Sequence, residues 1–152
     1  MEINVLVVKG VAANVEAGWL QRVAEQVLTA QNISPSAELS LVLTTPKKIR
    51  ELNRDYLGED SPTDVLSFPM EPESSAFVMP PDGKLHLGEV IISYSQAAAQ
   101  AREHQHSVKK ELVILLIHGV LHVLGFDHAQ PDEERRMRAR EAEILGQVEG
   151  LD

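Results

Sequence analysis

Apolar positions along the chain recur at two spacings, which predict strands and helices in alternation. Residues 3–8 and 38–44 alternate apolar with polar side chains, which is typical of strands. Between them, apolar residues at helical spacing predict an amphipathic helix from about Glu16 to Ala30. The N-terminal part of the chain is therefore predicted to form a strand, a helix and a second strand.

A second helix is predicted directly after the second strand. Thr45 and Pro46 make a favourable N-cap and first-turn pair, and Gly58 lies just beyond the expected last turn at Tyr56. Residues 61–69, SPTDVLSFP, are then predicted to form a short extended segment, because a proline lies near each end.

The next predicted strand is preceded by a long loop. The segment up to Gly83 is rich in proline and serine and lacks a periodic apolar pattern. Residues 84–93, KLHLGEVIIS, then predict a strand with Leu87, Glu89 and Ile91 on one face. Glu89 interrupts an apolar row, which makes it a candidate functional carboxylate.

Three helices are predicted in the C-terminal half. Residues 93–103 are rich in alanine, and Ser107 can cap a long helix that ends at Gly125. Its middle, residues 112–117, is apolar on every side, which is typical of a central helix surrounded by other elements. Pro131, followed by three acidic residues, begins the last helix.

The composition is that of one globular domain. A chain of 152 residues with 43% hydrophobic content can bury a single core, and no linker or repeat divides it. One domain is therefore expected over residues 1–152. Because the chain has no cysteine, a disulfide framework and a thiolate zinc site are excluded, and any metal must bind to His, Asp or Glu.

Charge and hydrophobicity narrow the expected location and partners. The net charge of −9 argues against a protein that coats nucleic acid by bulk attraction. Two basic clusters, residues 47–54 and 102–110, could still bind nucleic acid locally, but such clusters are more often solvated helix faces. The N-terminal segment has an acid where a signal peptide needs a basic residue. The longest apolar stretch, residues 112–126, is shorter than the roughly 20 residues of a membrane span. A cytoplasmic protein that does not enter the membrane is expected.

Half of the six histidines lie in one stretch, HGVLHVLGFDH, at residues 118–128. His118 and His122 are four apart on the predicted central helix, so their side chains share one face at about 6 Å between Cβ atoms. A chain that turns at Gly125 can bring His128 back to the same point. Three neutral imidazoles around one ion leave a fourth position open, which is typical of catalytic rather than structural zinc.

Zinc is the expected cation, as a single ion, because imidazole ligands suit it. A divalent ion lowers the pKa of a coordinated water and polarises a carbonyl or phosphoryl oxygen, so hydrolysis by metal-bound water is the expected reaction class. Asp127, beside His128, could orient a ligand imidazole or could bond to its own backbone in the turn. His86, His104 and His106 are interpreted as structural or surface residues.

The most direct peptidase signature is missing from this stretch. A helix-borne zinc peptidase carries HExxH, in which the glutamate after the first histidine is the general base. This chain has Gly119 in that position. A general base must therefore come from elsewhere, or none is needed.

The histidine stretch resembles the signature H-G-x-L-H-L-x-G-[YF]-D-H of the YbeY endoribonuclease family, with Val123 in place of the usual leucine. Residues 52–69 resemble the family's other hallmark, a helix end followed by P-T-[DN]-V-L-S-F-P. Residues 87–93 and 106–112 and the terminal DEERRMRAREAEIL also follow the family's order. The resemblance therefore covers most of the chain and is weak only in the N-terminal segment.

This resemblance implies a single α+β domain, with a small mixed sheet packed against helices and a zincin-like metal site on the central helix. It implies zinc on His118, His122 and His128, and metal-dependent cleavage of single-stranded RNA. It further implies a role in ribosomal RNA maturation, notably at the 3′ end of the small-subunit RNA, and in ribosome quality control. Ribosomal RNA or ribosomal subunits are then the expected partners.

The chain departs from the family pattern at two positions. Many members have an arginine directly after the tyrosine, whereas Leu57 follows Tyr56 here. Arg54, three residues earlier on the same helix face, is the candidate replacement as a phosphate contact, or else a surface residue of a differently tuned nuclease. Glu89 stands where the family more often has aspartate; it could act as a base near the metal or be an exposed strand carboxylate.

Two other functions stay open at the level of sequence. A zinc peptidase or amidase could use the same three histidines with Glu89, Asp64 or Asp127 as the base. A ribosome assembly factor could use the metal to hold its fold and act by docking, which the loss of the arginine at position 57 favours. The sequence leaves the oligomeric state open.

Overall fold

Strands and helices follow one another along the chain in the predicted order. The computed structural model describes residues 1–70, 83–127 and 129–148. Its elements are β1 (Glu2–Val7), α1 (Ala17–Ala30), β2 (Ala37–Thr44), α2 (Pro46–Leu57), β3 (Val65–Pro69), β4 (Leu85–Ser93), α3 (Tyr94–Glu103), α4 (Val108–Val123) and α5 (Pro131–Gln147). Most of the predicted loop before Gly83 falls on residues 71–82, which lie outside the described residues.

The four strands form one mixed sheet in the order β1-β2-β4-β3. β1 and β4 both run parallel to β2, and β3 runs antiparallel to β4. This sheet and the five described helices make a single small α+β domain, as expected.

The sheet has a helical layer on each face. On one face, β2 and β4 pack with α1 and α4 in the main core, which includes Leu41, Val90 and Leu116. On the other face, Ile49 of α2 packs against Ile91 in a smaller cluster. The sheet therefore lies between α2 and α4.

α4 is the central helix of the main core. It contacts β3, β4, α1, α3 and α5, and its apolar side chains from Leu112 to Val123 are almost all buried. This burial confirms the prediction of a surrounded helix. Of the helices in the described part of the chain, none combines the length and hydrophobicity needed to cross a membrane.

The caps predicted for α2 and α4 are present. The backbone N–H of Lys48 donates to Oγ1 of Thr45 at 3.2 Å, and that of Lys110 donates to Oγ of Ser107 at 3.1 Å. Gly58 ends α2 in the left-handed conformation at φ +75°. The bounds of both helices are thus set by local chemistry.

β4 departs from the predicted alternation at a bulge. The register of β2 against β4 shifts next to Gly88, whose φ is +143°, and a Cβ there would lie 2.3 Å from the carbonyl oxygen of Phe68. Beyond the bulge the faces exchange, so Leu87 packs with the main core while Ile91 faces α2. The prediction that these two residues share a face is therefore wrong.

α4 approaches the sheet closely at Gly119. A Cβ at this position would lie 2.6 Å from Cγ1 of Val90 and 3.3 Å from Oγ of Ser67. The Ser67 hydroxyl donates a hydrogen bond to the Gly119 carbonyl at 3.0 Å. Because valine is stiff at χ1, the neighbour cannot easily move aside.

Gly119→Ala is therefore expected to lower the free energy of unfolding by about 1–2 kcal/mol, because overpacking against β4 outweighs the gain in helix propensity. The measurement is urea denaturation. Gly146→Ala in α5 is the matched control, since its Cβ would meet nothing within 4 Å, and it is expected to be neutral or stabilising. Equal effects of the two substitutions would show that the approach at Gly119 is not tight.

Candidate metal centre

His118 and His122 lie side by side on α4, as their spacing predicts. Their ring centroids are 4.7 Å apart, and the ring planes meet at 73°. Both residues are half-buried, although α4 is otherwise buried on nearly every side. The structure therefore presents two imidazoles at one accessible patch of a buried helix.

A carboxylate from α5 contacts the first of these histidines. Nδ1 of His118 lies 3.4 Å from Oε1 of Glu141, which is about a quarter exposed. A carboxylate at this nitrogen favours the tautomer with the proton on Nδ1, and an ion would then bind at Nε2. Glu141 is thus placed to orient the imidazole of His118.

Sequence analysis missed Glu141, although a signal was present. Met137, Glu141 and Ile144 are spaced by four and three residues, so the acid lies in the stripe that packs α5 onto the core. A carboxylate within a buried stripe calls for a polar partner on the neighbouring helix.

The chain reverses after α4, as predicted. The N–H of Gly125 donates to the His122 carbonyl at 3.0 Å, that of Phe126 donates to the Leu121 carbonyl at 2.9 Å, and Gly125 has φ +103°. Asp127 is exposed on the returning segment and lines a surface cleft. His128 lies outside the described residues.

The structure does not bring Glu89 or Arg54 together with the histidine pair. Glu89 lines a cleft with Tyr56 on the sheet face that α2 covers. Arg54 is exposed on α2, and its Nε donates to Oδ1 of the neighbouring Asp55 at 3.0 Å. Both candidates thus lie across the sheet from α4.

Asp64 is engaged in local structure at the start of β3. Its Oδ1 accepts hydrogen bonds from the Val65 N–H at 2.8 Å and from the Thr63 hydroxyl at 3.4 Å. Its carboxylate therefore stabilises the turn into the strand.

The position of Gly119 explains why the peptidase glutamate is missing. The Cβ of a side chain at this position would lie 2.6 Å from Cγ1 of Val90 in β4. A glutamate cannot fit there without separating α4 from the sheet. The close packing of this helix is thus incompatible with a glutamate at position 119.

A second group of metal-binding side chains lies at the turn between α3 and α4. Sequence analysis gave His104 and His106 structural or surface roles, but the structure gathers them around the buried Glu111, and the three could hold a metal ion. Oε1 of Glu111 lies 2.6 Å from Nε2 of His106 and 3.2 Å from Nδ1 of His104. The signal in the sequence was Glu111 in the first turn of α4, with His104 and His106 shortly before the helix.

Glu111 is ionised in this setting. Burial by itself would raise the pKa of the Glu111 carboxyl, but hydrogen bonds from His106, His104 and Gln100 outweigh it and hold the pKa below its ordinary value. A buried negative charge therefore lies at the start of α4.

The two groups are separate. Glu111 and His118 are seven residues apart on α4, which is two helical turns, or about 10 Å along the axis. One ion cannot bridge that distance, since metal–ligand bonds are about 2 Å long.

Comparisons with known proteins place the chain in context. The family model described as Endoribonuclease YbeY matches residues 9–149. Endoribonuclease YbeY of Dehalococcoides mccartyi is 48% identical over 148 residues, 93% of this chain and 92% of that protein. The protein of the same name from Roseiflexus castenholzii is 43% identical over 145 residues, 95% of this chain and 91% of that protein. A Thermotoga maritima protein of known solution structure matches with a TM-score of 0.63 at 26% identity, over 96% of this chain and 88% of that chain.

Glu141→Gln is expected to lower the population of the Nδ1-protonated tautomer of His118, because the amide replaces a charged acceptor with a neutral one. The ¹⁵N chemical shifts of His118 in metal-free protein measure this population. Glu143→Gln on the same helix is the matched control, since that carboxylate pairs with Arg140 instead. Unchanged shifts in the Glu141 variant would mean that the contact does not set the tautomer.

Proposed function

The chain belongs to the endoribonuclease YbeY family, and on this premise we propose that it is a zinc-dependent endoribonuclease that cleaves single-stranded RNA. Its proposed substrate is ribosomal RNA in the cytoplasm, at the 3′ end of the small-subunit RNA, with a role in ribosome quality control. The observation that carries the proposal is the paired imidazoles of His118 and His122 on the buried helix α4.

The proposed ligands of one zinc ion are His118, His122 and His128. The first two fit this ion because they share one helix face and because Glu141 contacts Nδ1 of His118, as carboxylates do with zinc-bound histidines. His128 is included as the third ligand because of its place in the motif. It follows Phe126, the last residue of the hydrogen-bonded reversal, by two positions.

The contribution of the chain is to hold these groups in place before RNA arrives. When bound, a zinc ion supplies a Lewis acid that withdraws charge from a phosphoryl oxygen and lowers the pKa of water. The packing of α4 against β3 and β4 fixes the backbone that carries both imidazoles, and Glu141 fixes the orientation of one ring. Rigid elements of this kind keep a site in its productive geometry.

Asp127, on the segment that follows α4, has a proposed supporting role. It is exposed one residue before His128 and lines a cleft with Glu133 and Arg136. We propose that it orients a ligand imidazole or accepts a proton at this cleft.

The first test is RNA cleavage with and without a chelator. Wild-type protein is expected to cleave labelled single-stranded RNA, and chelation or His122→Ala is expected to lower the rate about 100-fold or more, because the ion loses a ligand or is removed. His86→Ala is the matched control: that histidine also contacts a carboxylate, Glu38, but lies on β4, and the variant should cleave at the wild-type rate.

The other outcomes of the same experiment identify the alternatives. Chelator-sensitive cleavage of casein, without RNA cleavage, would mean a zinc peptidase. Neither activity, together with co-sedimentation with ribosomes, would mean a non-catalytic assembly factor. Cleavage of RNA that survives both chelation and His122→Ala would contradict the proposed metal centre.

A second test concerns Arg54, the proposed phosphate contact in place of the arginine that Leu57 replaces. Arg54 is about half exposed and is paired with Asp55, so a phosphate has to compete with that carboxylate. Arg54→Ala is expected to weaken RNA binding and to reduce the slope of log affinity against log salt by about 0.7, the value for one phosphate on a single strand.

Arg50→Ala is the control for Arg54. Arg50 lies one turn earlier on α2, is equally exposed, and pairs with Asp60. If Arg54→Ala leaves both cleavage and the salt slope at the wild-type values, Arg54 is a surface residue and does not replace the missing arginine.

A further inference from the structure

We propose that His104, His106 and Glu111 bind a second divalent cation, of the zinc class, which fastens the turn between α3 and α4 and is distinct from the ion proposed at His118 and His122. Binding at this site requires no RNA and no nuclease activity, so it can be tested independently of the proposed function.

The turn between the helices is built to present two imidazoles together. α3 ends at Glu103, and the N–H groups of His104 and His106 donate to the carbonyls of Gln100 and Ala101 at 2.9 and 3.1 Å. Gln105 between them has φ +57°, a left-handed conformation that is unfavourable for a non-glycine residue. This backbone brings the two rings to 5.6 Å between centroids.

Glu111 supplies the third donor atom of the group. Its side chain is 3% exposed, whereas that of His106 is 17% exposed and that of His104 is 57% exposed. One donor atom from each of the three residues falls within 4.8 Å of the others. The group is therefore buried at the carboxylate and open to solvent at His104, which gives an ion a path of entry.

Among the described residues, no lysine or arginine forms a salt bridge with Glu111. In the described part of the chain, the salt-bridge partners of Glu111 are the two histidines alone. Oε1 of Glu111 contacts both rings, and the carboxylate keeps its negative charge because its pKa is held below the ordinary value. A buried charge is costly unless a counter-charge accompanies it, and a divalent cation supplies one.

Two imidazoles and a carboxylate are a donor set that zinc uses with a fourth position open to solvent. Zinc–ligand bonds of about 2.0–2.2 Å place tetrahedral donor atoms about 3.3 Å apart. The contacts to Oε1 are 2.6 and 3.2 Å, so binding needs the two nitrogen atoms to move away from Oε1 by under about 1 Å. Nε2 of Gln100 donates to the other oxygen, Oε2, at 2.9 Å, and this bond would hold the carboxylate in orientation.

The experiment counts zinc ions on the full-length chain. Protein is stripped with chelator, reloaded with zinc, dialysed, and measured by elemental analysis. Wild type is expected to hold two ions; His104→Ala and His122→Ala should each hold one, and the double variant should hold none. His104 is chosen because its side chain is mostly exposed, so its removal should not prevent folding. His86→Ala, which alters another histidine–glutamate pair, should keep both ions.

A second readout is thermal unfolding in the His122→Ala background. Zinc should raise the melting temperature of this variant, because an ion that binds only the folded chain stabilises it. The shift should disappear when His104→Ala is added. Circular dichroism of each apo variant confirms that the fold is intact.

Three outcomes decide between the possibilities. If wild type holds one ion and His122→Ala holds none, the α3–α4 group carries hydrogen bonds only, and the proposal is overturned. If His104→Ala keeps both ions, it is likewise overturned. If His122→Ala keeps one ion and cleaves RNA at the wild-type rate, the second site stands and the proposed nuclease centre does not.

Discussion

The burial of α4 between the sheet and three other helices is the constraint on which the candidate chemistry depends. This helix approaches β4 so closely that Gly119 has no room for a Cβ beside Val90. Its rotation about its own axis is therefore fixed, and with it the face on which His118 and His122 emerge. A looser contact would let the pair turn, and two flexible imidazoles bind an ion less well than two that are held in place.

Polar side chains on such a helix need hydrogen-bond partners on neighbouring elements. Here those partners lie on two different elements. Glu111 at the start of α4 meets His104 and His106 from the turn after α3, whereas His118 meets Glu141 from α5. Each contact joins α4 to a neighbouring element at a defined position along the α4 axis. A buried polar group without its hydrogen-bond partner lowers the stability of the fold. These contacts therefore also favour one arrangement of the helices over others.

Much of this arrangement could be predicted from sequence because its causes are local. Apolar spacing gave the elements and their order, Thr45 and Ser107 predicted two helix starts, and Gly125 predicted the reversal after α4. The bulge at Gly88 could not be predicted, since it depends on the backbone of Phe68 in another strand. The same holds for the grouping of His104 with Glu111 and for the placement of Arg54 and Glu89 across the sheet from α4, which was decided by the face that α2 covers.

The central claim is that RNA cleavage by this chain would depend on an ion held by His118 and His122. Anomalous diffraction at the zinc edge, from crystals of zinc-loaded protein shown to cleave RNA, tests it most directly. We predict a peak about 2.0–2.1 Å from Nε2 of both histidines. Active protein whose zinc peaks all lie away from this pair would contradict the claim.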